Sequence, residues 1–366
     1  MSIQQKIKQL LGKLPSRVKI ASRYIGSGEP TFIIAEAGIN HNGSIELAKQ
    51  LIDAAARAGA DAVKFQKRTT VDILTREGRE KSYNSPNAFA PTYGEHRDAL
   101  ELSEESYYEL KKYSEEKNIL FFASVWDKKS GDFFERLGFD AYKIPSADVT
   151  NLVLLSHIAK KNKPVLISTG MSTEEEIEAA IDAILPHNTR IILFHCVSLY
   201  PCTHDKLHIR YMNTLEADYR PLPVGYSGHE SDLLPTLVAV SRGASIVERH
   251  LTLDKSMKGS DHAASLNPEE FTELVNSIRD IEITLGQNKK VMHPELIPLR
   301  EKLAKSVATN VRIEKGARIT ADMLAIKGPG TGISPAKLMQ MVGKIAQEDI
   351  DADCLLPVNA LDWPTR

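Results

Sequence analysis

From Thr31 onward the chain repeats one unit: a short apolar run, a polar loop, then a helix-length segment whose apolar residues recur every three or four positions. Phe32-Ile33-Ile34-Ala35 is the first run, followed by an alanine-rich helical face over 45–58 and a second run, Ala62-Val63-Lys64-Phe65. Six more strands are expected at 119–123, 140–144, 164–168, 190–194, 222–225 and 245–248. Helices over 104–117, 129–137, 151–161, 173–185, 207–216 and 231–242 separate them, and one over 268–285 closes the series. Eight strands alternating with helices over roughly 255 residues predict an α/β fold, a (β/α)8 TIM barrel. The competing doubly wound sheet has little support, because no G-x-G-x-x-G follows the first strand and no phosphate loop of the G-x-x-x-x-G-K type occurs.

One connection breaks the rhythm. Between Gln66 and about Leu102 the chain is rich in Tyr, Asn, Ser and Pro and ends in Thr92-Tyr93-Gly94-Glu95-His96-Arg97. A loop of this length inside a compact domain is expected to cover a substrate. Residues 1–30 read as an extension with a short basic helix over Ile3–Leu14 and a polar connection after Pro15. The barrel is assigned 31–286, a linker 287–304, and a small, mostly β module 305–366, where apolar triplets such as Val311-Arg312-Ile313 and Leu324-Ala325-Ile326 alternate with Gly and Pro.

Charge and cysteine content narrow the partners. Lys and Arg total 46 against 48 Asp and Glu, a net charge of -2 with both signs interspersed. No global field favours nucleic acid or an anionic membrane, although a local cluster can hold a small anion. Cys196, Cys202 and Cys354 form neither an even disulfide framework nor a Cys-x-x-Cys site, which fits a reducing cytoplasm. No run of ~18 apolar residues occurs and the first residues do not resemble a signal peptide, so a cytoplasmic location is expected.

In such a barrel the residues at the carboxyl ends of the strands converge. Collected there are Glu36, Asn40, His41, Lys64, Gln66, Ser124, Lys143, Ser146, Asp148, Ser168, His195, Ser198, Tyr200, Ser227, His229, Glu248, His250 and Asp261. Lys64 and Lys143 interrupt apolar strands, where an unpaired ammonium is expensive to bury. With Ser124, Ser146, Ser168, Ser198 and Ser227 they suit a small molecule carrying both a phosphate and a carboxylate. The bland alternative is local pairing or snorkelling, and the chemical one is a Schiff base on one lysine. His229 and His250 suit a divalent metal or form a hydrogen-bonded structural pair. Glu36 is the carboxylate placed for proton handling, or for orienting a neighbour.

At these residues the chain resembles a known family. Phe32-Ile33-Ile34-Ala35-Glu36-Ala37-Gly38-Ile39-Asn40-His41-Asn42-Gly43, Lys64-Phe65-Gln66, Ser168-Thr169-Gly170-Met171, Gly225-Tyr226-Ser227-Gly228-His229, Glu248-Arg249-His250 and Gly259-Ser260-Asp261-His262 are together similar to the sialic acid synthase family. Segments 92–96 and 225–230 resemble its N-acetylneuraminate and N-acetylneuraminate-9-phosphate synthase branch, and the tail from about Lys305 to Val358 resembles the SAF (antifreeze-like, β-clip) domain.

The resemblance implies condensation of phosphoenolpyruvate with an open-chain N-acetylhexosamine, N-acetylmannosamine or its 6-phosphate, releasing phosphate and a nine-carbon 2-keto acid. It implies that His229 and His250 hold Mn²⁺, with Mg²⁺ or another divalent ion able to substitute. It places Lys64, Ser124, Lys143, Ser146, Ser168, Ser198 and Ser227 around phosphoenolpyruvate, and Glu36, Gln66, Asp148, Tyr200 and Asp261 toward the sugar or the reacting centre. It also implies a domain-swapped homodimer. Four positions depart from the family pattern: Ser124 replaces Thr, Asp148 replaces Glu, Ser198 replaces Asn, and Gly328 stands where relatives carry an arginine for the sugar's N-acetyl group. Lys327, Arg318 or another cation takes over that contact, or the acceptor differs. The alternatives are a legionaminic-, pseudaminic- or spore-coat-type synthase, a pyruvate aldolase, and a carbohydrate-binding barrel without chemistry.

Overall fold

The computed structural model describes residues 3–10 and 12–361. The chain divides into two compact units, 1–286 and 287–366.

In the first unit a two-stranded hairpin, β1 (Arg17–Ile20) and β2 (Arg23–Gly26), precedes eight parallel strands. These are β3 (Phe32–Gly38), β4 (Ala62–Lys67), β5 (Leu120–Val125), β6 (Tyr142–Ile144), β7 (Val165–Ser168), β8 (Ile191–Cys196), β9 (Val224–Gly228) and β10 (Ile246–His250). They close in sequence order, with β10 paired to β3, so the barrel fold expected from the alternation is present. Every residue of β3 is buried, as a strand flanked by helices outside and side chains within requires.

Local chemistry sets the helix ends. Ser44 caps Ile45–Ala58 through its side chain, Gly59 ends it at φ 81°, and Leu51, Ile52 and Ala55 face the core. A capping box of Asn267 and Glu270 starts Pro268–Leu285.

Three expectations need correction. The N-terminal helix runs Ile3–Leu10, short of Leu14, with Gly12 just beyond it, and the polar connection after Pro15 is the β1–β2 hairpin. The stretch from Gln66 to Leu102 is not a plain loop. It contains helices Thr70–Ile73, Arg76–Glu80 and Tyr93–Ala99, the second capped by Thr75 and the third started by a Thr92–Glu95 capping box. Residues 287–304 are not only a linker, because they include the helix Ile297–Leu303 and cluster with the second unit.

The second unit is small and mostly β. Its strands β11 (Ser306–Thr309) and β12 (Leu324–Lys327) pair antiparallel, and isolated bridges join Ile313 to Ile350 and Arg318 to Ile345. Val307, Ile313, Ile319, Leu324, Met341, Ile350 and Leu356 form its core. The two cations offered for the role of Gly328 have partners in this unit: Lys327 pairs with Asp353, and Arg318 donates to the Gly343 carbonyl.

Candidate active site

Barrel register brings the polar residues of separate strands to one rim. His250 lies beside Glu36, Glu36 beside Lys64, Gln66 beside Ser124, Ser124 beside Lys143, and Ser227 beside Glu248. Their side chains surround a cavity of about 80 Å³. A larger hollow of about 560 Å³ lies at the other end of the barrel, among loop residues such as Gly26, Thr31, Leu222 and Ser245. That end lacks the lysine and histidine cluster.

At the cavity floor lies a chain of ion pairs. Lys64 Nζ is 2.6 Å from Glu36 Oε2 and 3.6 Å from Glu248 Oε2, and it donates to Ser124 Oγ at 2.7 Å. Lys143 Nζ donates to both Glu248 oxygens, at 2.9 and 3.0 Å. Gln66 Nε2 donates to Glu36 Oε1 at 3.0 Å, and Ser227 Oγ donates to Glu248 Oε1 at 3.2 Å. The two lysines are thus paired, and each pair is buried. Gly38, at φ +54°, lets this packing form, since a Cβ there would stand 3.2 Å from Glu36 Oε1 and 3.3 Å from Gln66 Nε2.

Burial and charge push the two carboxylates apart. Burial raises the Glu36 carboxyl to about 6, against the pull of Lys64 and with the push of Glu248. Burial acts the same way on Glu248, but Lys143 and Lys64 together outweigh it and hold this carboxyl below its usual range. The lysines differ as well. Burial lowers Lys143 despite Glu248, whereas Glu248 and Glu36 overcome burial at Lys64 and raise it.

The serines differ in how free they are. Ser146 Oγ accepts from Gly170 N at 3.0 Å, while Ser168 Oγ is buried without a partner. Ser198 Oγ is 3.9 Å from Cys196 Sγ. Tyr200 packs its ring 4.0 Å from His229 and 5.6 Å from His250, centroid to centroid.

The two histidine rings are 5.4 Å apart. His229 Nδ1 lies 2.9 Å from the Val197 carbonyl, a contact that places its proton there and leaves Nε2 with a lone pair. His250 Nδ1 is buried without a hydrogen-bond partner, 3.9 Å from Asp261 Oδ2, and burial lowers this imidazole to about 3, leaving it neutral. Burial lowers the His229 imidazole, but Cys196 and the Val197 carbonyl outweigh it and raise it, so His229 fits a divalent ion once deprotonated, and His250 fits it with its free nitrogen. Among the described residues no group of three or more His, Cys, Asp or Glu could hold a metal, so the protein offers this pair and no closed cage.

Two candidates sit outside the cavity lining. Asp148 accepts from Asn151 Nδ2 at 3.1 Å, and burial raises its carboxyl. Asp261 accepts from Ser260 Oγ at 2.7 Å and borders the cavity only through His250. Other strand-end residues serve the scaffold: Asn40 donates to the Leu251 carbonyl and to Ser265, and His195 Nε2 contacts the Leu207 carbonyl at 2.6 Å.

Glu248, Trp126, Cys196 and Met171 line the cavity without having been assigned a role from sequence. The signal for Glu248 was available, because it stands two residues before His250 on one strand and so shares its inward face.

Comparison with known proteins identifies the family. The model described as the NeuB family matches residues 51–290, and that of the SAF domain matches 304–361. N,N'-diacetyllegionaminic acid synthase of Legionella pneumophila is 40% identical over 90% of this chain and 94% of its own length. Human N-acetylneuraminate-9-phosphate synthase is 38% identical over 90% and 92%. The crystal structure of the Leptospira borgpetersenii N-acetylneuraminic acid (sialic acid) synthetase in complex with citrate superposes with a TM-score of 0.67 at 33% identity, covering 78% of this chain and 97% of that one. The chain belongs to the NeuB family and carries a C-terminal SAF domain. Its activity is of the phosphoenolpyruvate-dependent nonulosonate synthase type.

Proposed function

We propose that the enzyme condenses phosphoenolpyruvate with N-acetylmannosamine or its 6-phosphate, giving N-acetylneuraminate or its 9-phosphate and inorganic phosphate. The observation that carries this reading is the buried pair Lys64 and Lys143 at the cavity floor, ringed by Ser124, Ser146, Ser168, Ser198 and Ser227. Two cations and a ring of hydroxyls suit the phosphate and carboxylate of one three-carbon substrate.

In this reading C3 of phosphoenolpyruvate attacks the aldehyde carbon and positive character develops at C2. The aldehyde oxygen takes a proton from solvent water. Water then adds to C2, its proton passing to Glu36, and the tetrahedral intermediate releases phosphate by C–O cleavage. Lys64 and Lys143 stabilise the departing charge, while Gln66, Tyr200, Asp148 and Asp261 orient the sugar. His229 and His250 would hold the divalent ion, Mn²⁺ or Mg²⁺, which when bound supplies Lewis-acid polarisation of the aldehyde oxygen.

Charge balance supports the ion. Lys64 and Lys143 face Glu36 and Glu248, two against two, so the residues alone offer little net attraction to a trianion. The family resemblance also supports a homodimer, which sedimentation at micromolar concentration would read.

A second reading, synthesis of a legionaminic- or pseudaminic-type acid from a diacetamido-trideoxyhexose, is favoured by Gly328 and by the similarity to the Legionella synthase. Phosphate release with each sugar in turn, with mass detection of the keto acid, separates the two.

A further inference from the structure

Beside the cavity, three buried hydrogen-bond donors have no acceptor: Arg68 Nη2, Arg97 Nε and Trp126 Nε1. They form one cluster. The guanidinium carbons of Arg68 and Arg97 lie 5.4 and 5.7 Å from the Trp126 ring centroid, and Trp126 lines the cavity. Each arginine is fixed through another nitrogen. Arg68 Nε donates to Glu101 Oε1 at 2.7 Å, and Arg97 Nη2 donates to Tyr93 Oη. The unpaired nitrogens therefore remain after both side chains are anchored.

A buried donor without an acceptor costs about 1–3 kcal/mol, and more when charged. Nearby carboxylates are already committed. Glu101 also accepts from Arg68 N at 3.1 Å and stands 3.6 Å from Lys67 Nζ, and Asp127 accepts from Thr69 and Ser130. His96 reports the neighbouring cations: burial first, then Arg68 and Lys258, hold its imidazole below the usual range. A hydroxyl would bring one more donor to this place, whereas oxygens that only accept suit these unpaired donors and the two guanidinium charges.

We propose that Arg68, Arg97 and Trp126 form a subsite for a phosphate ester at the end of the acceptor sugar remote from its aldehyde. The proposal rests on the reading of the barrel as a phosphoenolpyruvate-dependent synthase and chooses between its two acceptors. Lys64 and Lys143 serve one anion, and the arginine pair serves the second. A reaction that phosphorylates the primary hydroxyl of an N-acetylhexosamine must then supply the substrate. The segment carrying both arginines reaches the loop after β10, where Gly259 N donates to Asn87 Oδ1 at 3.4 Å.

The test is steady-state kinetics of the full chain with Mn²⁺ on N-acetylmannosamine, its 6-phosphate and 2,4-diacetamido-trideoxymannose, for the wild type, R97Q and R97K. Wild-type kcat/KM is expected to favour the phosphorylated sugar by roughly a hundredfold, the scale of two charge-assisted contacts. R97Q should raise KM for that sugar about tenfold or more while KM for phosphoenolpyruvate stays within about twofold, and R97K should recover part of the loss. Equal or better use of an unphosphorylated sugar, or an unchanged preference in R97Q, overturns the subsite and leaves the synthase reading intact. Absence of acceptor-dependent phosphate release with all three sugars overturns both.

Discussion

Lys143 Nζ stands 2.9 and 3.0 Å from the two oxygens of Glu248, and both residues are buried at the floor of the cavity. The pair joins β6 to β10 across the barrel and balances one of the two cations offered to the substrate. Removing one partner of a buried pair costs about 3–5 kcal/mol, whereas replacing both with apolar residues is often neutral. K143M is therefore expected to lose stability and activity together. K143M/E248L should recover most of the stability and none of the activity. Urea denaturation beside phosphate release reads both, and an active double variant would show that the lysine has only a structural role.

Glu36 predicts a pH limb. Its carboxyl is raised to about 6, so the proton-accepting form prevails above that pH and is lost below it. The expected kcat/KM for phosphoenolpyruvate falls about tenfold per pH unit below 6. E36Q should lose roughly a hundredfold to ten-thousandfold in rate and lose the limb. Linkage has the opposite sign for stability. A raised folded-state pKa stabilises the protein below about 4.5, and that contribution disappears as pH rises through 6, so E36Q should gain stability on the wild type across this window. Retention of the limb in E36Q would assign it to another group.

The barrel was legible because the signals that specify it are local. Apolar runs alternate with amphipathic helices, and closure then follows from strand count, so Lys64, Lys143, Ser124, Ser227, His229 and His250 were placed at one rim by position alone. What sequence did not reveal depends on distance through space. Glu248 was visible at a strand end, but its partners lie 105 residues away at Lys143 and on β4 at Lys64. Asp148 is a sugar contact by family resemblance alone, and its bond to Asn151 in the short turn after β6 was not legible in the sequence. The helices within 66–102 were hidden by low apolar content, although Thr92 and Glu95 at a three-residue spacing carried the capping signal.

The two histidines predict a metal requirement. Chelation should abolish turnover, and Mn²⁺ should restore it in the wild type but not in H229A or H250A. Calorimetric titration of Mn²⁺ into each variant supplies a readout independent of turnover, with binding expected only when both imidazoles are present. Full activity in excess chelator would exclude this role for the pair.

The most direct measurement uses phosphoenolpyruvate labelled with ¹⁸O in the bridging C–O–P oxygen, incubated with the enzyme, Mn²⁺ and N-acetylmannosamine or its 6-phosphate. The account predicts one phosphate released per nine-carbon keto acid, with the label in the phosphate because the C–O bond breaks. Release of phosphate without the label, or at the same rate with no sugar present, would contradict it.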